Sequence, residues 1–234
     1  FLHNVYVKLL NLVIDNQFFL GKKELENAEK FKSSKSKSIY FPFAVDYNFW
    51  SKGENQNNTN SELILFVGND GNRDIDLLIK IAESLPDFNF LFVSSLKSLI
   101  NVNLPNVELV QGSWSSKKLS DEELRSVYKD SKLSIIPTKE TSQPTGQSVA
   151  MQSMACGTPV IISKTDGFWD YEKFENNRNI FFVENNNSDS WVKLINELMH
   201  QDDALGLISK NASETMKEFY DIKDFQSKLN QYVN

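Results

Sequence analysis

The segment "PTGQSVAMQSMACGTPVI" (residues 144–161) decides the reading of this chain. It runs from a proline through one glycine into small and apolar residues, then a second glycine, a second proline and a β-branched pair. Its only ionisable side chain is the thiol of Cys156, in a chain of which 24% is charged. "KLSIIPT" (132–138) just before it reads as a strand, and "PVIIS" (159–163) at its end reads as the next. Between them the spacing predicts a helix opened by Gly146-Gln147-Ser148 and ending near Cys156. Gly157 suits the C′ position, and Pro159 prevents continuation. A helix N-terminus presents unpaired N–H groups and a partial positive charge. Placed after a glycine at a strand's carboxyl end, it can bind a phosphate. Gly146 lets the backbone approach closely, Ser148 can add a hydroxyl, and Ala150, Ser153 and Ala155 let the helix sit low on a sheet. A nearby carboxylate would repel such a ligand, which accounts for much of the missing charge. The alternative is an ordinary strand–helix unit whose glycine only makes a tight turn. One helix N-terminus contributes about 0.3–1 kcal/mol toward an exposed anion, so a site needs further groups.

A second group stands in "VGNDGNRDIDLL" (67–78). Gly68 ends a strand, "NDGN" is a turn, and Arg73 precedes a helix. Arginine offers a planar fork matched to phosphate oxygens. The alternative is a solvated arginine countered by Asp74 or Asp76. Two strand-end loops of this kind are jointly more specific than either.

Outward from these loops the rhythm is regular. "LILFVG" (63–68), "FNFLFVS" (88–94), "VELVQG" (107–112) and "NIFFVE" (179–184) read as strands. "DIDLLIKIAESL" (74–85), "LSDEELRSVYKDS" (119–131) and two segments at 190–199 and 203–219 read as helices. Ser120 and Glu123 form a capping box. Strand–helix alternation predicts an α/β fold, a Rossmann-like parallel sheet over about residues 63–184 with helices on both faces. Earlier in the chain, 5–14 is a helix end or a buried strand, 17–21 a short strand, 22–32 a helix and 38–45 extended. "SKGENQNNTNSE" (51–62) has no hydrophobic pattern and reads as a linker or surface loop. The tail carries Phe219, Tyr220, Ile222, Phe225 and Leu229 in an amphipathic pattern, expected to pack against residues 1–45.

Composition narrows the function. With 234 residues there is room for one large domain, or one domain and a fragment. A net charge of −6 argues against general nucleic-acid binding. One cysteine excludes an intramolecular disulfide framework and fits a reducing compartment. No apolar run reaches membrane-span length. His3 and His200 lack metal-ligand spacing, so no metal is expected. No G-x-G-x-x-G follows any strand, which weighs against a dinucleotide oxidoreductase. The chain opens at Phe1 in mid-pattern and reads as the C-terminal part of something longer.

Val67-Gly68 with Arg73, "LSDEELRSVYKDS", "IIPT", "GQSVAMQSMACGTPVI", "TDGFWD" and "NRNIFFVE" together resemble the C-terminal, donor-binding half of a GT-B glycosyltransferase. The similarity is to the large retaining group 1, glycogen-synthase-like family. It spans about residues 39–233, and "MACGTPVI" is its most specific part. The resemblance implies residues 1–45 as the tail end of the N-terminal, acceptor-side half and 46–62 as linker or loop. It implies 63–215 as the nucleotide-sugar domain and 216–234 as the crossover helix. It implies a nucleoside-diphosphate-sugar donor as substrate, no cofactor, and an acceptor held by the N-terminal half. Transfer of a hexose into polysaccharide, lipopolysaccharide or glycolipid would follow, in the cytoplasm of a bacterium or at the inner face of its membrane, with peripheral membrane association of the full-length protein. Arg73 would be the catalytic group, holding the diphosphate with the backbone at Gly146–Ser148 and with Gly68 beside it. Gln152 stands at the family's ribose-binding acidic position and keeps hydrogen-bonding capacity. The other acidic position is Pro144, for which Glu140 could substitute. Asn69 occupies the family's first basic position. Trp114 faces the side where the family places the base, and Phe168 and Trp169 would shape the cleft. A nucleotide-sugar-binding module without turnover is the competing reading.

Overall fold

The computed structural model describes residues 13–30, 36–53, 62–112 and 119–233. The chain begins with β1 (Asn16–Phe19), α1 (Lys22–Glu29), β2 (Lys37–Tyr40) and the short α2 (Tyr47–Trp50). There follow β3 (Leu63–Val67), α3 (Ile75–Ser84), β4 (Asn89–Val93), β5 (Val107–Val110), α4 (Asp121–Asp130) and β6 (Leu133–Ile136). The remainder is α5 (Gln147–Ala155), β7 (Val160–Ser163), β8 (Phe181–Val183), α6 (Ser188–Met199), α7 (Asp202–Phe219) and α8 (Ile222–Val233).

Six strands form one parallel sheet in the order β5-β4-β3-β6-β7-β8. A parallel sheet covered on both faces needs apolar residues at successive strand positions, and these strands supply them. In β3, Ile64 and Phe66 enter one core and Leu65 and Val67 the other; β7 splits likewise, Ile161 against Val160 and Ile162. α3 and α6 cover the first face, and α2 and α5 the second. α7 serves both, with Leu205 and Ile208 in the first core and Ala212 and Met216 in the second. The expected sheet over 63–184 with helices on both faces is what the chain forms. Sequence order runs outward one way from β3 and the other way from β6. These two strands are neighbours, so the crevice beyond their carboxyl ends is a topological switch point.

β1 and β2 pair in parallel as a separate two-stranded sheet bridged by α1. The tail docks against this unit, as its amphipathic pattern predicts. Val45 N–H donates to Tyr220 O and Ile222 N–H to Val45 O, and the rings of Phe41 and Phe225 lie 4.6 Å apart. Asp170 fastens the junction to the main sheet domain. It is buried and receives Lys22 Nζ at 2.9 Å, Tyr40 Oη at 3.2 Å and Tyr220 Oη at 3.1 Å. Burial first, then the Asp170 charge, pushes both phenols well above their usual pKa.

Two local readings differ from the structure. Tyr47–Trp50, within the stretch expected as linker, form α2, capped by the Asp46 side chain on Phe49 N–H. Trp50 is buried against α5, and its carbonyl accepts from Cys156 Sγ at 3.2 Å. Residues 54–61, and nearly all of the segment 5–14, lie outside the described residues. Phe168 and Trp169 do not shape a cleft. They are buried with Phe174 and Phe182 in an aromatic cluster, because the loop after β7 folds back over the sheet. Among the described residues no helix is long and apolar enough to cross a membrane.

Candidate functional site

The helix α5 begins where the sequence places it. Gly146 takes φ 74°, in the left-handed region, and Gly157 takes φ 80° after the last turn. The absence of charge in α5 has a second cause beside its open N-terminus. Gln147, Val149, Ala150, Met151, Ser153, Met154 and Ala155 are all buried, so a charged side chain on nearly any face would be desolvated. Burial also pushes the Cys156 thiol up to about 12, which leaves it a neutral packing group.

Arg73 is the principal charge of the site, and it is not solvated. Its side chain is 3% exposed. Asp74, expected as a possible countercharge, instead caps α3 through Leu77 N–H. The guanidinium lies across the switch point. Nη1 donates to Thr145 Oγ1 at 2.9 Å and faces Asp70 Oδ2 at 3.2 Å. Thr145 Oγ1 in turn donates to Asp70 Oδ1 at 3.1 Å. Nε has no hydrogen-bond partner. Two glycines make the room: a Cβ at Gly68 would overlap Arg73 Nε, and one at Gly146 would lie 3.2 Å from Nη1. Burial pushes the arginine's pKa down, and the Asp70 charge opposes this. Arg73 is thus a buried cation with one unpartnered N–H, held between two glycines close to the start of α5.

A cleft of about 280 Å³ opens beside it. Gly68, Asn69, Asp70, Arg73, Ser148 and Gln152 line its polar part, and Val67, Val93, Leu119, Leu124 and Val149 its apolar part. Thus Gly68, Asn69, Arg73, Ser148 and Gln152 come together here, and Gly146 abuts Arg73 from beneath. Gln152 Oε1 accepts from Tyr128 Oη at 3.4 Å. The Asn69 side chain is committed to the scaffold. Its Nδ2 donates to Gly112 O at 2.9 Å, and its Oδ1 accepts from Ser95 N–H at 2.6 Å, tying three strand ends together. The side chains of Gln147 and Glu140 do not line this cleft. The Gln147 side chain is buried with both polar atoms unpartnered and is not on the cleft wall. Glu140 is not among the residues lining the cleft, and its Oε1 accepts from Asp166 N–H at 3.0 Å. Trp114 lies outside the described residues. No group of His, Cys, Asp or Glu suited to a metal occurs among the described residues. Sequence reasoning missed Asp70 and Thr145. The available signals were an acid three residues before Arg73 and a hydroxyl adjoining Gly146.

Comparison with known proteins bears on the fold and the family. The sucrose-phosphate synthase of Thermosynechococcus elongatus superposes with a TM-score of 0.76 at 16% identity, over 97% of this chain and 60% of that one. Alr3699/HepE of Anabaena, solved in complex with UDP-glucose, gives 0.72 at 14% identity, over 92% and 62%. The C-terminal domain of LpcC, a glycosyl transferase group 1 family protein of Francisella tularensis, gives 0.58 at 14%, over 76% and 99%. At these identities the likeness shows the fold. The chain spans about three-fifths of the length of the first two proteins. No curated protein sequence matches it. The model of the family "Glycosyl transferases group 1" matches residues 51–215, well over half of the chain. The chain therefore belongs to the group 1 glycosyl transferases.

Proposed function

We propose that the chain is the donor-binding part of a retaining GT-B enzyme that moves a hexosyl group from a nucleoside-diphosphate sugar to an acceptor. In this reading 63–215 holds the donor. Residues 1–45 and the tail 216–234 belong to the acceptor-side half and its crossover, and that half holds the acceptor. The product is a polysaccharide, lipopolysaccharide or glycolipid made in the cytoplasm, with the full-length protein at the inner face of a membrane. The observation that carries the proposal is Arg73, a cation 3% exposed at the switch point, on the wall of a cleft that Ser148 and Gln152 of α5 also line.

The chemistry follows from where charge develops. As the bond from the sugar's anomeric carbon to the diphosphate oxygen breaks, its electron pair passes to the diphosphate. Arg73 and the N–H groups at the start of α5 stabilise that leaving group. The departing phosphate takes the acceptor's proton, so no cofactor or cleft base is called on. Gln152 binds the ribose, and the apolar wall accepts the base.

One observation favours a binding module without turnover: Pro144 offers no side-chain acid, and Glu140 accepts from Asp166 N–H and does not line the cleft. Two measurements test the pair of readings. In a thermal-shift screen of nucleotides and nucleotide sugars, a donor at one hundred times its Kd should stabilise the chain by about 2.7 kcal/mol. The whole gene product should then transfer the sugar of that donor. Binding without transfer would support the module, and no binding would refute both.

A further inference from the structure

Arg73 does not stand alone on the cleft wall; the Asp70 carboxylate is beside it. Asp70 is held by more than the arginine. Its Oδ1 accepts from Asn72 N–H at 3.0 Å and from Thr145 Oγ1 at 3.1 Å. One contact belongs to the turn before α3, the other to the loop entering α5. Together they position the carboxylate beside Arg73. The side chain of Asp70 is 45% exposed against 3% for Arg73, so the carboxylate is the more solvent-accessible of the two charges. In the empty cleft Asp70 compensates a buried cation. In the filled cleft it is a like charge against the anion that Arg73 receives.

The two nucleotide species of the proposed reaction differ by one charge. In the sugar ester each phosphate carries a single ionisation. Breaking the sugar–oxygen bond leaves a terminal phosphate with a second ionisation near about pH 6, so the free diphosphate is more anionic at neutral pH. A fixed carboxylate opposes the second species more than the first. Resting on the function proposed above, we infer that Asp70 is a specificity-determining residue of the diphosphate site: a fixed negative charge that disfavours the free nucleoside diphosphate relative to its sugar ester and so favours product release.

The test uses the 234-residue chain and three pairs of probes: UDP with UDP-glucose, GDP with GDP-mannose, and ADP with ADP-glucose. Kd is measured by calorimetry for wild type, Asp70→Asn, Asp70→Ser and Asp70→Glu. For whichever pair binds, the neutral variants should tighten the free diphosphate by about tenfold, the factor that 1.4 kcal/mol carries. They should tighten the sugar ester less, so the ratio of the two constants changes. Asp70→Glu should keep the wild-type ratio. A residue that only braced the fold would lower the unfolding temperature and leave that ratio unchanged. Asp70→Ser preserves a small acceptor and serves if the asparagine variant does not fold. An unchanged ratio, or weaker diphosphate binding in the neutral variants, overturns the inference and leaves the proposed function standing. Failure of wild type to bind any probe overturns both.

Discussion

Gly68→Ala is expected to disable the anion site without damaging the sheet. Gly68 ends β3 with its N–H on Val93 O and its carbonyl accepting from Ser94 Oγ, and its φ is not positive, so alanine brings no backbone strain. The added methyl would overlap Arg73 Nε and lie 3.1 Å from Arg73 Cδ and from Phe66 Cζ. Phe66 is fully buried in the core and cannot yield. The arginine must therefore retreat by on the order of 1 Å to reach ordinary contact distances. Its 2.9 Å bond to Thr145 then stretches beyond hydrogen-bonding range. A hydrogen bond to a charged group is worth about 1.5–3 kcal/mol, or roughly ten- to a hundredfold in affinity. The assay is calorimetric titration of a nucleoside diphosphate and of its bare nucleoside into both proteins, with unfolding temperatures recorded alongside. The diphosphate should weaken by that factor and the nucleoside hardly at all. Gly71→Ala is the control, because a Cβ at Gly71 meets nothing within 4 Å. Similar diphosphate affinities for the two variants would refute the claim that Gly68 exists to seat Arg73.

Three further outcomes are expected. Asp170→Asn should cost about 1.5 kcal/mol of stability by urea unfolding, because Tyr40 and Tyr220 lose a charged acceptor at a buried junction while Lys22 keeps Glu172 at 2.8 Å; no measurable loss would mean that the contact is dispensable. Ser120→Ala should cost about 1 kcal/mol through loss of the α4 cap, and unchanged unfolding would count against the capping box. Cys156, with its thiol pushed up to about 12 by burial, should resist iodoacetamide at about pH 8 until the chain unfolds, and rapid alkylation of the folded chain would contradict its burial.

The legible parts of this fold were those written in local periodicity. Strands such as 63–67 declare themselves by continuous apolar residues, and α5 by two glycines and a proline at its ends. Strand order was not legible, because it depends on the side of the sheet to which each crossover returns. The switch point between β3 and β6 emerged only with the structure. The same limit hid Thr145 as a partner of Asp70 and Arg73. The contacts of Thr145 with them cross 75 and 72 residues of sequence, and nothing local marks that closure. The bond from Asp166 N–H to Glu140 spans 26 residues and is likewise not legible locally. Phe168 and Trp169 were placed toward a cleft because the sequence does not show which way the loop after β7 folds.

The central claim is that Arg73, buried at the switch point, binds a diphosphate, and titration of wild type, Arg73→Lys and Arg73→Ala with a nucleoside diphosphate and its bare nucleoside tests it most directly. Alanine should weaken the diphosphate by about ten- to a hundredfold. Lysine should restore part of that loss, keeping the charge without the fork. The nucleoside should bind all three proteins alike. Equal losses for diphosphate and nucleoside, or no loss for either, would contradict the account and place the donor away from this cleft.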